Sequence, residues 1–135
     1  RLYKMSFPFK IITPKGIYLE AEADILNLPL TKGLTGILPH HFPLVSMIET
    51  GMLTYRYNGN SYEYAISGGI VHVGEKETIV LADAIESKEE IDIERAKQAE
   101  QRAKDRLSNR SPDIDIERAE LALKRAINRL KVAKE

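Results

Sequence analysis

The sequence predicts an α+β protein, a strand-rich sandwich or barrel followed by a hairpin of two helices. Three observations carry that reading. All eight glycines and five of the six prolines fall in residues 1–85. Charge runs the other way, with 15 of the 40 charged residues in 1–85 and 25 in 86–135. Apolar spacing also changes, from alternating runs before Ala84–Ser87 to three-and-four spacing after it. The boundary therefore falls there, giving domains 1–86 and 87–135.

In chain order, "PFKIITP" and "GIYLEAEADILNLPL" are β-rich runs cut by Pro14, by Lys15-Gly16 and by Pro29. "MLTYRYNGNSYEYAIS" places alternating aromatics on both sides of Asn58-Gly59, the strongest short hairpin signal. "GGIVHVGEKETIVLADA" adds two apolar strands across a turn at Gly74-Glu75-Lys76. Turn signals recur about every 8–12 residues, as in all-β sandwiches and barrels. Ser87 with Glu90 suggests a capping box opening the first helix. "LSNRSP" (107–112) breaks that helix, with Ser111 as the next N-cap and Pro112 at the first helical position. The second helix carries a heptad stripe of Ile116, Ala119, Leu123, Ala126, Leu130 and Ala133; the first offers Ala96, Ala99, Ala103 and Leu107. Alanines allow close approach but remove little apolar area, so the docking expected here is weak.

Composition excludes several classes. The 20 basic and 20 acidic residues cancel, which argues against a nucleic acid partner. With no cysteine there are no disulfides and no thiolate metal sites. No apolar run approaches the ~20 residues of a membrane span, and "RLYKMSFPF" lacks the apolar core of a signal peptide. Met5 is a candidate start preceded by Arg1–Lys4, and the chain reads as soluble and intracellular.

The chemical candidates are few. His40-His41 is a poor metal site, because adjacent side chains diverge on an extended chain and no carboxylate cluster is near in sequence. "SGGIVHVG" lacks the context of a phosphate loop, and no nucleophile–base or carboxylate pair stands out, which leaves a free-standing nucleotide hydrolase without support. The arginines are different. Arg95, Arg102 and Arg106 recur at i, i+7 and i+11, and Arg118, Arg125 and Arg129 repeat those intervals on the second helix. Guanidinium forks suit bidentate phosphate binding. The competing reading is a salt-bridged solvent face, with Glu100–Lys104 and Glu120–Lys124 as i,i+4 pairs. The hexapeptide IDIERA also occurs twice, at Ile91–Ala96 and Ile114–Ala119, each time setting an acid and a base on one helical face near a helix start.

Five stretches together resemble one family: "IITPKGIYLEAEA", "GILPHHFPLVSMIETG", "YAISGGIVHVGEKETIVLADAIE", IDIERA itself, and "DIDIERAELALKRAINRL". GILPxHxPL, SGG and ERAExALKRAxNRL are specific in combination. The family is the epsilon subunit of bacterial F-type ATP synthase. The resemblance implies a ten-stranded β-sandwich with an antiparallel helical hairpin. It also implies a non-catalytic rotor subunit, bound to gamma and near the c-subunit ring, peripheral on the cytoplasmic face of the bacterial plasma membrane. Its helices would extend into the catalytic alpha/beta head to inhibit ATP hydrolysis, or fold down. No cofactor is required; ATP, with or without magnesium, would be a regulatory ligand. The family's nucleotide motif, Ile/Leu-Asp-x-x-Arg-Ala, matches Ile91, Asp92, Arg95 and Ala96. Glu86 matches its upstream acid, and Arg102, Arg125 and Arg129 its phosphate-side arginines. Arg106 and Arg118 match neighbouring basic positions. His41 matches a loop histidine at the rotor interface, while His40 stands where glycine is frequent and Leu34 where glutamate is typical. The remaining alternative is a structural adaptor and inhibitory arm that binds no ATP.

Overall fold

A computed structural model describes residues 6–109 and 111–134, so Arg1–Lys4, Met5 and Arg110 of the sequence reading lie outside the described residues. Eight strands come first: β1 (Phe7–Thr13), β2 (Gly16–Ala23), β3 (Ile25–Leu30), β4 (Gly33–Ile37), β5 (Leu44–Met47), β6 (Gly51–Tyr57), β7 (Asn60–Val73) and β8 (Thr78–Ser87). A single 3-10 turn (Lys88–Glu90) follows, then α1 (Ile93–Asn109) and α2 (Ile116–Lys134). The chain divides into two compact units, before and after the Ser87–Lys88 bond.

Hydrogen bonding links the strands in the order β2-β1-β8-β7-β6-β3-β4, with β5 on the far half of β7. All pairs are antiparallel except β1 with β8. β7 joins the two layers of the sandwich: residues 60–66 pair with β6, while 70–73 pair with β5. It changes layer at Gly68-Gly69, both at positive φ. A Cβ at Gly69 would collide with the Leu81 carbonyl, so only glycine lets β8 lie this close. This continuity accounts for one of the two strands by which the eight seen fall short of the ten expected: β7 runs through its bend as one 14-residue strand.

Residues at the alternate positions of each strand fill the interior. Phe9, Ile11, Leu26, Leu28, Ile37, Leu53, Ile66, Val71 and Val80 are essentially inaccessible. Tyr55 stacks on Tyr62 at 4.6 Å and meets Phe9 edge-on at 4.9 Å. Burial raises its phenol pKa above the ordinary value of 10.0. Asn58 (φ 51°) and Gly59 (φ 79°) form the expected type I′ hairpin between β6 and β7. Pro29, in contrast, does not interrupt a strand. It sits inside β3 opposite Leu34, beyond the point where the ladder to β6 stops at Asn27, so its missing N–H is not needed there. Its carbonyl accepts a hydrogen bond from the Glu49 amide at 2.7 Å.

The helix starts also differ from expectation. Ser87 ends β8, and α1 begins only at Ile93. Ser111 and Pro112 belong to a turn closed by Ile114 N–H to Ser111 C=O at 3.1 Å, with Pro112 in the position a β-turn favours, and α2 begins at Ile116. Both N-caps are the aspartates of the repeated word. Asp92 Oδ1 accepts from the Arg95 amide, and Asp115 Oδ1 from the Arg118 amide, each at 3.1 Å. Ala96 and Ala119 close the first helical bonds to the same aspartates' carbonyls. In IDIERA the first isoleucine precedes the cap and the alanine falls at N4, the two positions of a hydrophobic staple. Ile91, Ala96 and Ala119 are buried, and Ile114 half-buried.

Candidate functional site

α1 and α2 pack against each other. Six residues join them, too few to return along a 17-residue helix of about 25 Å, so the pair is antiparallel. The contact of α2 with the 3-10 turn just before α1 agrees with that direction. The seam is made of alanines: Ala96, Ala103, Ala119 and Ala126 are 0–3% exposed. Leu123, Leu130 and Ala133 of the expected stripe are half-buried, but Ile116, at the first helical position, is exposed. Val132, outside that stripe, is buried instead; it lies near the end of α2, which the antiparallel packing brings to the 3-10 turn.

The arginines take their positions from this seam. At about 100° per residue, Arg95, Arg102 and Arg106 fall within about 40° of one another, roughly 90° from the Ala96–Ala103 direction. Arg118, Arg125 and Arg129 are displaced from Ala119–Ala126 by about the same angle in the same rotational sense. In an antiparallel pair the second helix is reversed and also turned to face the first, so equal displacements land on the same side. The two rows flank one groove of the hairpin. Aligning the ends of α1 and α2 sets Arg95 near the level of Arg129 and Arg106 near that of Arg118, with Arg102 and Arg125 between them and, in the register that levels the outer pairs, staggered by about three residues.

Within the helices the acids lie off that side, and only the N-cap aspartates Asp92 and Asp115 flank it. Glu94 and Asp105 of α1, and Glu117 and Glu120 of α2, point away from the arginine sector by helical position, and Glu100 falls on the far side of the seam. Glu100 pairs there with Lys104 at 3.7 Å, and Asp105 accepts from Gln101 at 2.9 Å. The second pair expected, Glu120–Lys124, does not form among the described residues. Arg95, Arg102, Arg106 and Arg118 are exposed, and among the described residues none of their side chains holds an ion pair. Arg125 and Arg129 are half-buried and engaged with other groups. One face thus gathers six guanidinium groups, with Asp92 and Asp115 beside Arg95 and Arg118 at its two ends, each aspartate with one oxygen spent on its cap, an arrangement suited to an anion. Asp92, grouped with them by sequence, spends one carboxylate oxygen on the cap. Glu86 lies on β8 opposite Ala65.

The sandwich carries a second candidate surface, which sequence reasoning missed. Met47, Ile70, Leu81, Ile12 and Ile17 are successive cross-strand partners over β5, β7, β8, β1 and β2. Their neighbours Ile11, Val71 and Val80 face the core, so this row faces outward, and all but Ile12 are more than 40% exposed. The signal was present: "KIIT", "GGIVHV" and "TIVLAD" are apolar on consecutive rather than alternate positions. Leu34 and Phe42 add exposed apolar groups, 76% and 85% accessible. Next to Phe42, His41 donates its amide to Leu38 C=O at 3.1 Å and its ring Nδ1–H to Phe42 C=O at 2.7 Å. His40 has φ 65°, the left-handed conformation that favours glycine. Both histidines line a shallow depression with Glu75, Lys76 and Glu77. No cluster of three metal-ligating side chains occurs among the described residues. Among them, too, no helix is long and apolar enough to cross a membrane.

One unit thus carries an outward apolar row, and the other a face lined by arginines. Residues 6–88 match the model of the ATP synthase delta/epsilon chain β-sandwich domain, and 89–134 that of the delta/epsilon chain long α-helix domain. The ATP synthase epsilon chain of Moorella thermoacetica is 44% identical over 129 residues, covering 95% of this chain and 96% of its own. That of Herpetosiphon aurantiacus is 42% identical over 130 residues, 96% of each. A chain of the Euglena gracilis mitochondrial ATP synthase (OSCP/F1/c-ring, rotational state 1) superposes with a TM-score of 0.82 at 22% identity, over 98% of this chain and 83% of that one. One in the central stalk/c-ring structure of the Tetrahymena thermophila enzyme does so at 0.59 and 17%, over 95% and 93%. These two likenesses concern the fold. The chain belongs to the ATP synthase epsilon chains, a family of non-catalytic stalk subunits.

Proposed function

We propose that this subunit couples and regulates the rotor of a proton-translocating ATP synthase, and that its hairpin senses ATP. The observation that carries the sensor reading is the double row of arginines on one side of an alanine-rich seam, flanked only at its ends by the cap aspartates Asp92 and Asp115. ATP held between Arg102 and Arg125, with Arg95 and Arg129 beside them, bridges both helices and so stabilises the folded hairpin over any extended form. Ligand at ten times its dissociation constant contributes about 1.4 kcal/mol. That is enough to tip a hairpin whose fully buried seam residues are mostly alanines. When ATP falls, the helices extend toward the catalytic alpha/beta head, where freed arginines meet acidic surfaces and hydrolysis stops.

In the same reading the apolar row from Met47 to Ile17 docks on gamma, and the loop carrying Leu38, His41 and Phe42 lies near the c ring, at the cytoplasmic face of the membrane. A second reading, an adaptor and inhibitory arm without ATP binding, is favoured by that row alone, which needs no ligand. Amide chemical shifts separate the two. On titrating the full chain with millimolar ATP, the sensor reading expects shifts concentrated in Arg95–Arg106 and Arg118–Arg129. Unmoved resonances there leave only the adaptor.

A further inference from the structure

The arginine face is longer than a nucleotide triphosphate needs. Arg95 and Arg106 are eleven residues apart, about 16 Å along α1, and Arg118 to Arg129 spans the same distance on α2. This is two to three times the length of a triphosphate chain. Successive arginines fall about 10 Å or about 6 Å apart along each helix, so the Arg106–Arg118 pair, about 16 Å away, cannot share a phosphate with Arg95–Arg129. Both residues of that outer pair are exposed, and among the described residues neither side chain holds an ion pair. Asp105 and Glu120, in the stretches that separate them from Arg102 and Arg125, fall outside the arginine sector by helical position, and Asp115 beside Arg118 spends one oxygen on its cap. A triphosphate engaging Arg102 and Arg125 therefore leaves a further anion subsite toward the interhelical turn.

We infer that the hairpin binds linear inorganic polyphosphate longer than three units, along the whole arginine groove. This rests on the reading of the face as a phosphate site, and extends it to a ligand class. The geometry favours condensed phosphate over an acidic peptide. Every unit of a polyphosphate is charged and offers oxygens to both sides, so two facing rows of planar forks engage the same thin chain at once. An extended peptide sends successive side chains to opposite faces, about 7 Å apart on each, and satisfies one row at a time.

The test is calorimetric titration of the full chain, at about 0.15 M salt to suppress long-range attraction, with ATP, tripolyphosphate and polyphosphates of increasing defined length. Affinity rises about tenfold between three and roughly six units, where the groove is filled, and then levels off. The double variant Arg106→Gln/Arg118→Gln abolishes that rise and keeps ATP and tripolyphosphate binding. Lys104→Gln/Lys124→Gln, which removes the same charge outside the arginine sector, keeps the rise. Equal affinity for short and long chains overturns the inference, as does a rise lost equally in the lysine variant. The length series on the unaltered chain decides the matter even if a variant misfolds. ATP binding without length dependence sinks the polyphosphate groove and spares the nucleotide reading. Length-dependent polyphosphate binding without ATP binding does the reverse.

Discussion

Asp92 and Asp115 each serve their helix before they serve any ligand. Their carboxylates accept the Arg95 and Arg118 amides, satisfying donors that a helix start leaves without intrahelical partners. Replacing Asp92 with alanine should lower the stability of α1 by about 1 kcal/mol, while asparagine, an equally good cap, should leave it unchanged. Amide hydrogen exchange over residues 93–97 checks this, with protection falling about fivefold in Asp92→Ala only. The repeated IDIERA was visible in the sequence, but its meaning was not. Ser87 and Ser111 also looked like caps, because cap propensity is shared by Ser and Asp. What decides between them is which chain already bends: Ser87 is claimed by the β8–β7 ladder opposite Tyr64, and Ser111 by the Pro112 turn.

At the scale of elements, the alanine seam governs how the helices part. Ala96, Ala103, Ala119 and Ala126 let the backbones approach closely and contribute little transfer energy. Ala103→Leu overpacks the seam, at a cost of about 1–3 kcal/mol. The expected result is lost protection of amides in α1 and α2, with the sandwich strands unchanged, read in one exchange experiment. Period three-and-four spacing revealed the seam, yet it placed Ile116 inside and Val132 outside. A heptad template knows only the partner helix, whereas Val132 is covered near the end of α2, on the side away from the stripe. The strands show the complementary failure. Alternation located β6 and the first half of β7, where one face is wet; the consecutive apolar residues of β1, β8 and the second half of β7 hid an outward row behind an inward one.

At the scale of the molecule, family, two-unit plan and arginine intervals were legible in the chain itself, since they depend on local spacing and long matched stretches. The one-sidedness of the arginines was not, because it needs the antiparallel pairing and the observed seam together. The proposed anion site rests on that one-sidedness. Four of the six guanidinium groups remain exposed, so a ligand need not displace buried partners to reach them. The central claim, that the folded hairpin is an ATP receptor, is tested most directly by calorimetry of ATP binding to the full chain and to the Arg102→Ala/Arg125→Ala variant. The account predicts one site in the unaltered chain, weakened at least about tenfold by the double change, which removes two charge-assisted contacts. No heat of binding at millimolar ATP, or equal affinity in both proteins, would contradict it.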